Sequence, residues 1–154
     1  MIEIIQILIA SIFGTMVMTS FSYYISERFK GLFKEPVLLN LVVSSMRIEL
    51  DPNRKSSLGW MLHFVIGLLF AIIYHLIWKN SDFDPTWFCG LIFGMISGII
   101  GIVSWHFLFK IGTNPPKIKF KEYYIQLFVA HILFALAVVL VYKIFTSFEI
   151  TQNY

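Results

Sequence analysis

Four stretches of this chain, residues 4–25, 58–78, 87–109 and 123–142, contain no Asp, Glu, Lys or Arg. A helix rises about 1.5 Å per residue, so each is long enough to cross ~30 Å of hydrocarbon. In lipid every backbone N–H and C=O needs a partner within the protein, which an apolar segment of this length finds by becoming a helix. The expected fold is an all-α membrane protein with four transmembrane helices in an antiparallel bundle, a single polytopic domain over residues 1–154. Composition agrees: 58% of residues are hydrophobic, 14% are charged and mean hydropathy is +0.77, against about 45–50% apolar and about 25% charged in soluble domains. Trp60, Trp78, Trp87, Trp105, Tyr23, Tyr24, Tyr123, Tyr124 and Tyr142 fall near the segment ends, where amphipathic rings sit at the headgroup level.

The first segment reads as a retained span, because Glu3 stands where a signal peptide carries basic residues and no small-x-small cleavage pattern follows. Lys and Arg set the orientation, since basic loops stay in the cytoplasm. Arg28, Lys30, Lys34, Arg47, Arg54 and Lys55 lie in the first loop and Lys110, Lys117, Lys119 and Lys121 in the third, against Lys79 and Lys143 on the other side. Ten against two predicts both termini outside the cytoplasm. The net charge of +3 is accounted for by this asymmetry, and nucleic acid is not an expected partner. A single cysteine, Cys89, excludes an intramolecular disulfide and any multi-cysteine metal site.

The first loop contains "EPVLLNLVVSSMRIEL", with Pro36 at a helix start and Asn40, Ser44 and Arg47 on one narrow face of an apolar run. About fourteen residues are too few to span. The expectation is an interfacial or re-entrant helix over about 36–50 on the cytoplasmic side. "DPNRKSSLGW" then forms a polar turn, and "KIGTNPPKIKF" a rigid, donor-poor one.

Small residues recur at i+4 steps: Gly59, His63, Gly67, Ala71 and His75 in the second span, and Gly90, Gly94, Gly98, Ile102 and His106 in the third. Such ridges let helices approach closely in lipid. Gly67, Ala71, Gly90, Gly94, Gly98 and Gly101 are the helix-packing candidates, serving either the chain's own bundle or a homo-oligomer interface. In an antiparallel arrangement His63, His106 and His131 lie roughly 6–14 Å below the cytoplasmic boundary, with the span-one hydroxyls Thr15, Thr19, Ser20 and Ser22 toward the same end. His75 belongs near the opposite face.

An ionisable side chain inside a span marks a functional site by default, although a lone histidine also serves as interhelical glue. Together, His63, His106, His131, Thr15 and Thr19 are the candidate cavity or ligand residues. Three imidazoles from three helices suit Zn²⁺, Cu²⁺ or a haem iron, or a pH-sensitive relay. No HExxH, CxxC or carboxylate pair names a cofactor. Cys89, Ser97 and Ser104 read as packing or back-bonded residues, and Pro115 and Pro116 argue against phosphate cradling by the turn.

The second span, with His63, Phe70, Ala71 and Tyr74, resembles a segment of the YagU-like family of bacterial inner-membrane proteins. "GTNPP", with Gly112, Pro115 and Pro116, and the following "YYIQLFVAH", with His131, resemble that family's Gly-x-x-Pro-Pro turn and the Tyr-to-His segment after it. The resemblance covers about the last hundred residues. It implies a helical protein of the bacterial inner membrane and supplies no substrate.

Three functions fit these residues: handling of a proton, ion or small solute through a histidine-lined cavity; a non-catalytic assembly or lipid-interacting protein; or a metal- or haem-binding membrane protein. An enzyme is disfavoured, because the spans offer no acid and no activated nucleophile.

Overall fold

A computed structural model describes residues 2–46, 53, 55–112 and 116–152, with side chains up to residue 147. Five helices follow in order: α1 (Ile2–Arg28), α2 (Glu35–Ser45), α3 (Ser57–Asn80), α4 (Trp87–Ile111) and α5 (Phe120–Gln152). No strand occurs among the described residues. The stretches long and apolar enough to cross a membrane are α1, α3, α4 and Phe120–Ser147 of α5. α1, α3 and α4 each run slightly past their charge-free stretches, with Arg28, Lys79 and Lys110 continuing the helix, and α5 runs on past residue 142 to Gln152.

The ends have local causes. Lys30 takes a left-handed conformation (φ 49°), and the Gly31 N–H donates back to the Ser26 carbonyl at 3.1 Å, which turns the chain out of α1. Ser56 and Thr86 are N-caps whose hydroxyls accept from the Leu58 and Cys89 amides at 3.3 and 3.1 Å.

α5 is the hub of the bundle. More than half (56%) of its membrane window is buried, against 22–33% for the other three, and it packs on both α4 and α1. Glycine makes the α4–α5 contact close. A Cβ on Gly94 would lie 2.6 Å from the Ile132 Cα, and one on Gly98 would lie 2.8 Å from the Phe128 ring. Gly90 faces Val139 and Gly101 faces the His131 ring. On α3, Gly67 abuts Thr15 of α1, Gly59 abuts the Pro36 carbonyl of α2, and Ala71 is fully buried. These small residues are thus consumed by packing within the chain.

The ridges do not continue as the i+4 spacing predicts. After Ala71 the buried positions of α3 are Tyr74 and Trp78, and after Gly98 those of α4 are Gly101, Trp105 and Phe109. Successive i+4 steps drift by about 40° each, so a residue sixteen places on is roughly 160° away around the helix. That displacement applies to both His75 and His106, and it carries them off the ridge faces.

α2 lies against α3, burying Leu38, Leu39 and Val42. Its Asn40 is turned inward, accepting from the Gly59 N–H at 2.7 Å and donating to the Ser56 carbonyl at 2.8 Å. Asn40, one of the three polar residues on that narrow face, therefore ties α2 to the start of α3. The helix was expected to reach residue 50 and ends at Ser45. Residues 47–50 with Arg47, together with Arg54 and residues 113–115 of the Pro-Pro turn, lie outside the described residues.

Candidate functional site

A cavity of about 190 Å³ lies among α1 to α5, with Thr15, Met18, Glu35, His63, Trp105 and His131 on its walls, together with Phe70, Gly101 and Phe134. Two of the predicted histidines meet here. Both are buried, each 6% exposed, and Thr15 borders the same space. Thr19 supports from behind: its hydroxyl bonds the Thr15 carbonyl at 2.6 Å and His63 Nε2 at 2.9 Å. His131 Nδ1 lies 2.8 Å from the Leu127 carbonyl, and its ring meets the edge of Phe70 at 5.7 Å. A carbonyl only accepts, so Nδ1 carries the proton and in the neutral ring Nε2 is left as an acceptor.

His106 does not join them. It is exposed, pairs with the Tyr124 hydroxyl at 3.3 Å and is absent from the cavity wall. The depth estimate gave its height along α4, whereas rotation about the axis decides which way it faces. Among the described residues no group of three or more His, Cys, Asp or Glu is placed to hold a metal ion, so the three-histidine ligand set is not assembled. His75 belongs to another cluster, with Nδ1 3.0 Å from the Tyr142 hydroxyl and Nε2 3.9 Å from Glu3; Lys79 pairs with the same Glu3 at 2.8 Å.

The site also contains a group that periodicity did not single out. Glu35, in the first turn of α2, is 1% exposed. Its Oε1 accepts from the Ser22 hydroxyl at 2.6 Å and from Gln126 Nε2 at 3.2 Å, and Gln126 Nε2 also donates to Ser22 at 2.5 Å. Among the described residues its Oε2 has no partner, and neither do the buried Thr15 Oγ1, Tyr123 Oη and Gln126 Oε1. Burial pushes the Glu35 carboxyl up to about 7, against the lowering effect of the bonds from Ser22, its own backbone amide and Gln126. Glu35 precedes Pro36 in a loop, where a carboxylate reads as solvated. The available signal was Gln126, an uncharged polar residue five positions before His131 that needs a partner once its helix is buried.

Among the described residues no Lys or Arg lines the cavity. The adjacent Lys34 turns away, 3.6 Å from Glu27 and 4.5 Å above the Tyr23 ring. On its far side Gln126 borders a second, larger groove of about 350 Å³ lined by Phe33, Lys119 and Glu122. The Ser22–Glu35–Gln126 triangle therefore stands between the two spaces. No family model, curated protein or solved structure matches this chain.

Proposed function

We propose that this is a small multi-pass protein of the bacterial inner membrane that handles a proton, ion or small solute through the cavity holding His63 and His131. The observation that carries the reading is the buried Glu35 carboxyl, which lines the same cavity as His63 and His131, with an oxygen left unpaired and no Lys or Arg on the wall among the described residues. Such a group is expensive to bury without a partner, and intramembrane sites that bear that cost are functional by default.

An antiparallel bundle is supported by the order of contacts. Along α4 the residues Gly90, Gly94 and Gly98 meet Val139, Ile132 and Phe128 of α5 in descending order, and Thr15 and Thr19 of α1 meet Gly67 and His63 of α3 in the same way. The basic loops then share one side, which by the positive-inside rule is the cytoplasm. On this reading both termini lie outside, and α2 is an interfacial helix that carries Glu35 in from the cytoplasmic side. The resemblance to the YagU-like family is consistent with this placement.

The test is flux. Protein reconstituted in vesicles loaded with a pH-sensitive dye is expected to relax an imposed pH step faster than empty vesicles, and the His63→Ala/His131→Ala variant to lose the difference. Equal relaxation for protein-bearing and empty vesicles across a panel of small solutes would overturn the reading in favour of a non-catalytic assembly or lipid-interacting role.

A further inference from the structure

We infer that the cavity binds a small primary ammonium cation, its headgroup on Glu35 Oε2 and its short apolar body against Phe70, Trp105 and Phe134. The inference rests on the cavity reading above and names the class of solute.

The argument is one of complementarity. Among the described residues four on the wall keep unfilled capacity, all of it on acceptors or hydroxyls: Glu35 at Oε2, Thr15 at Oγ1, His131 at Nε2 and His63 at Nδ1. An anion is repelled by the carboxylate. A neutral solute leaves that carboxylate buried without a counter-ion, which is costly. A metal cation such as Ca²⁺ wants six or more oxygen ligands, and no three-residue His, Cys, Asp or Glu group stands among the described residues to hold a transition metal. An ammonium headgroup brings three N–H donors and one positive charge.

Size and wall chemistry point the same way. The volume of about 190 Å³ equals roughly six water molecules at about 30 Å³ each, which is more than a bare proton uses and suits a cation of a few heavy atoms. The rest of the wall is aromatic and aliphatic, and aromatic faces attract cations. Ser22 and Gln126 hold Oε1 and so leave Oε2 as the oxygen for the guest.

Cation and proton compete for one oxygen, so binding depends on pH. The titratable groups around Glu35 are His63 from α3, His131 and Tyr123 from α5 and Tyr23 from α1, while Lys34 on its own loop is engaged by Glu27; α4 contributes Ser104 and Trp105 to the wall and no titratable side chain.

Calorimetry on the purified full-length protein in detergent, with n-propylammonium as the probe and propanol and propionate as controls, tests this. Propylammonium is expected to bind and, below pH 7, to release a proton as it displaces the one on Glu35. Binding should weaken by about a hundredfold in Glu35→Gln and by about tenfold in Thr15→Val, which removes one acceptor; neither control should bind. The wild-type proton release decides the matter even if Glu35→Gln fails to fold. The inference is overturned if propanol binds as tightly as propylammonium, if a folded Glu35→Gln binds like wild type, or if infrared spectra show Glu35 titrating while no ammonium binds, which would leave a proton site only. Vesicle flux separates the two readings: binding without flux overturns the transport reading alone, and flux without ammonium binding overturns this inference alone.

Discussion

His63 and His131 hold their ring protons on opposite nitrogens. The Thr19 hydroxyl has one hydrogen, and its bond to the Thr15 carbonyl at 2.6 Å uses it. The 2.9 Å contact to His63 Nε2 coexists with that bond only if the imidazole donates, so in the neutral ring His63 carries its proton on Nε2. His131 donates from Nδ1 to Leu127. Two buried imidazoles on one cavity thus each retain an unprotonated nitrogen, Nδ1 in His63 and Nε2 in His131.

Thr19→Val keeps the shape of the side chain and removes the acceptor from His63. A buried interhelical hydrogen bond of this kind contributes about 0.6–1.5 kcal/mol. Denaturation in mixed micelles is expected to show a loss of that size, and the ring-nitrogen NMR spectrum should show His63 alone changing its tautomer balance. A change confined to His131 would contradict the assignment.

Glu35 couples stability to pH. Its carboxyl titrates at about 7 in the folded protein, above the ordinary value of 4.5, so between those values the folded state holds a proton that the unfolded chain has released. The contribution is fully present below about 4.5 and is lost as pH rises toward 7, an effect of about 3 kcal/mol. Melting temperature should therefore fall over that interval and level off above it. Glu35→Gln should flatten this part of the profile, and an unchanged slope in that variant would assign the dependence to another group.

Gly94 meets backbone and Gly90 meets a side chain, which ranks their substitutions. A methyl group on Gly94 collides with the Ile132 Cα, whereas one on Gly90 meets the Val139 Cγ2 at 2.8 Å. Gly94→Ala forces the two helices apart and is expected to cost about 1–3 kcal/mol, as overpacking does. Gly90→Ala should cost less, because a side chain moves more readily than a helix. Melting curves of the two variants in one detergent check the order.

The spans were legible because desolvation of a charged group outweighs local preferences, so the charge-free stretches at 4–25, 58–78 and 87–109 find α1, α3 and α4 almost to their ends, while 123–142 finds the start of α5 and stops short of its continuation to Gln152. His63 and His131 were legible as well, since spacing and rise give depth. His106 was misjudged because depth says nothing of azimuth, and four i+4 steps accumulate a rotation of roughly 160°. Glu35 was hidden for a different reason. Its burial comes from α2 folding back on the bundle, a tertiary event with no periodic signature in an eleven-residue helix.

Cys89 offers a probe of the end of the bundle away from Glu35. It is 7% exposed, and the Trp78 indole N–H lies 3.3 Å from its sulfur. Maleimide labelling in micelles is expected to be slow, rising sharply on denaturation, because burial keeps the reagent from the sulfur. Trp78→Phe should speed labelling. Rapid labelling of the folded wild type would show that this end of α4 opens.

His106 and His131 provide the sharpest contrast in the molecule, since both are single histidines in apolar helices with comparable expected depth. His106 is exposed and, among the described residues, bonded only to Tyr124 at 3.3 Å, so His106→Ala is expected to change stability by less than about 0.5 kcal/mol, as surface substitutions do. It should leave flux and propylammonium binding as they are. His131→Ala removes a buried ring packed on Phe70 and Gly101 and orphans the Leu127 carbonyl bond, a loss of about 2 kcal/mol or more. Flux should fall with it. Equal loss of flux in the two variants, with both folded, would place His106 in the working site, and the cavity would then have to extend to the face of α4 that carries Tyr124's partner.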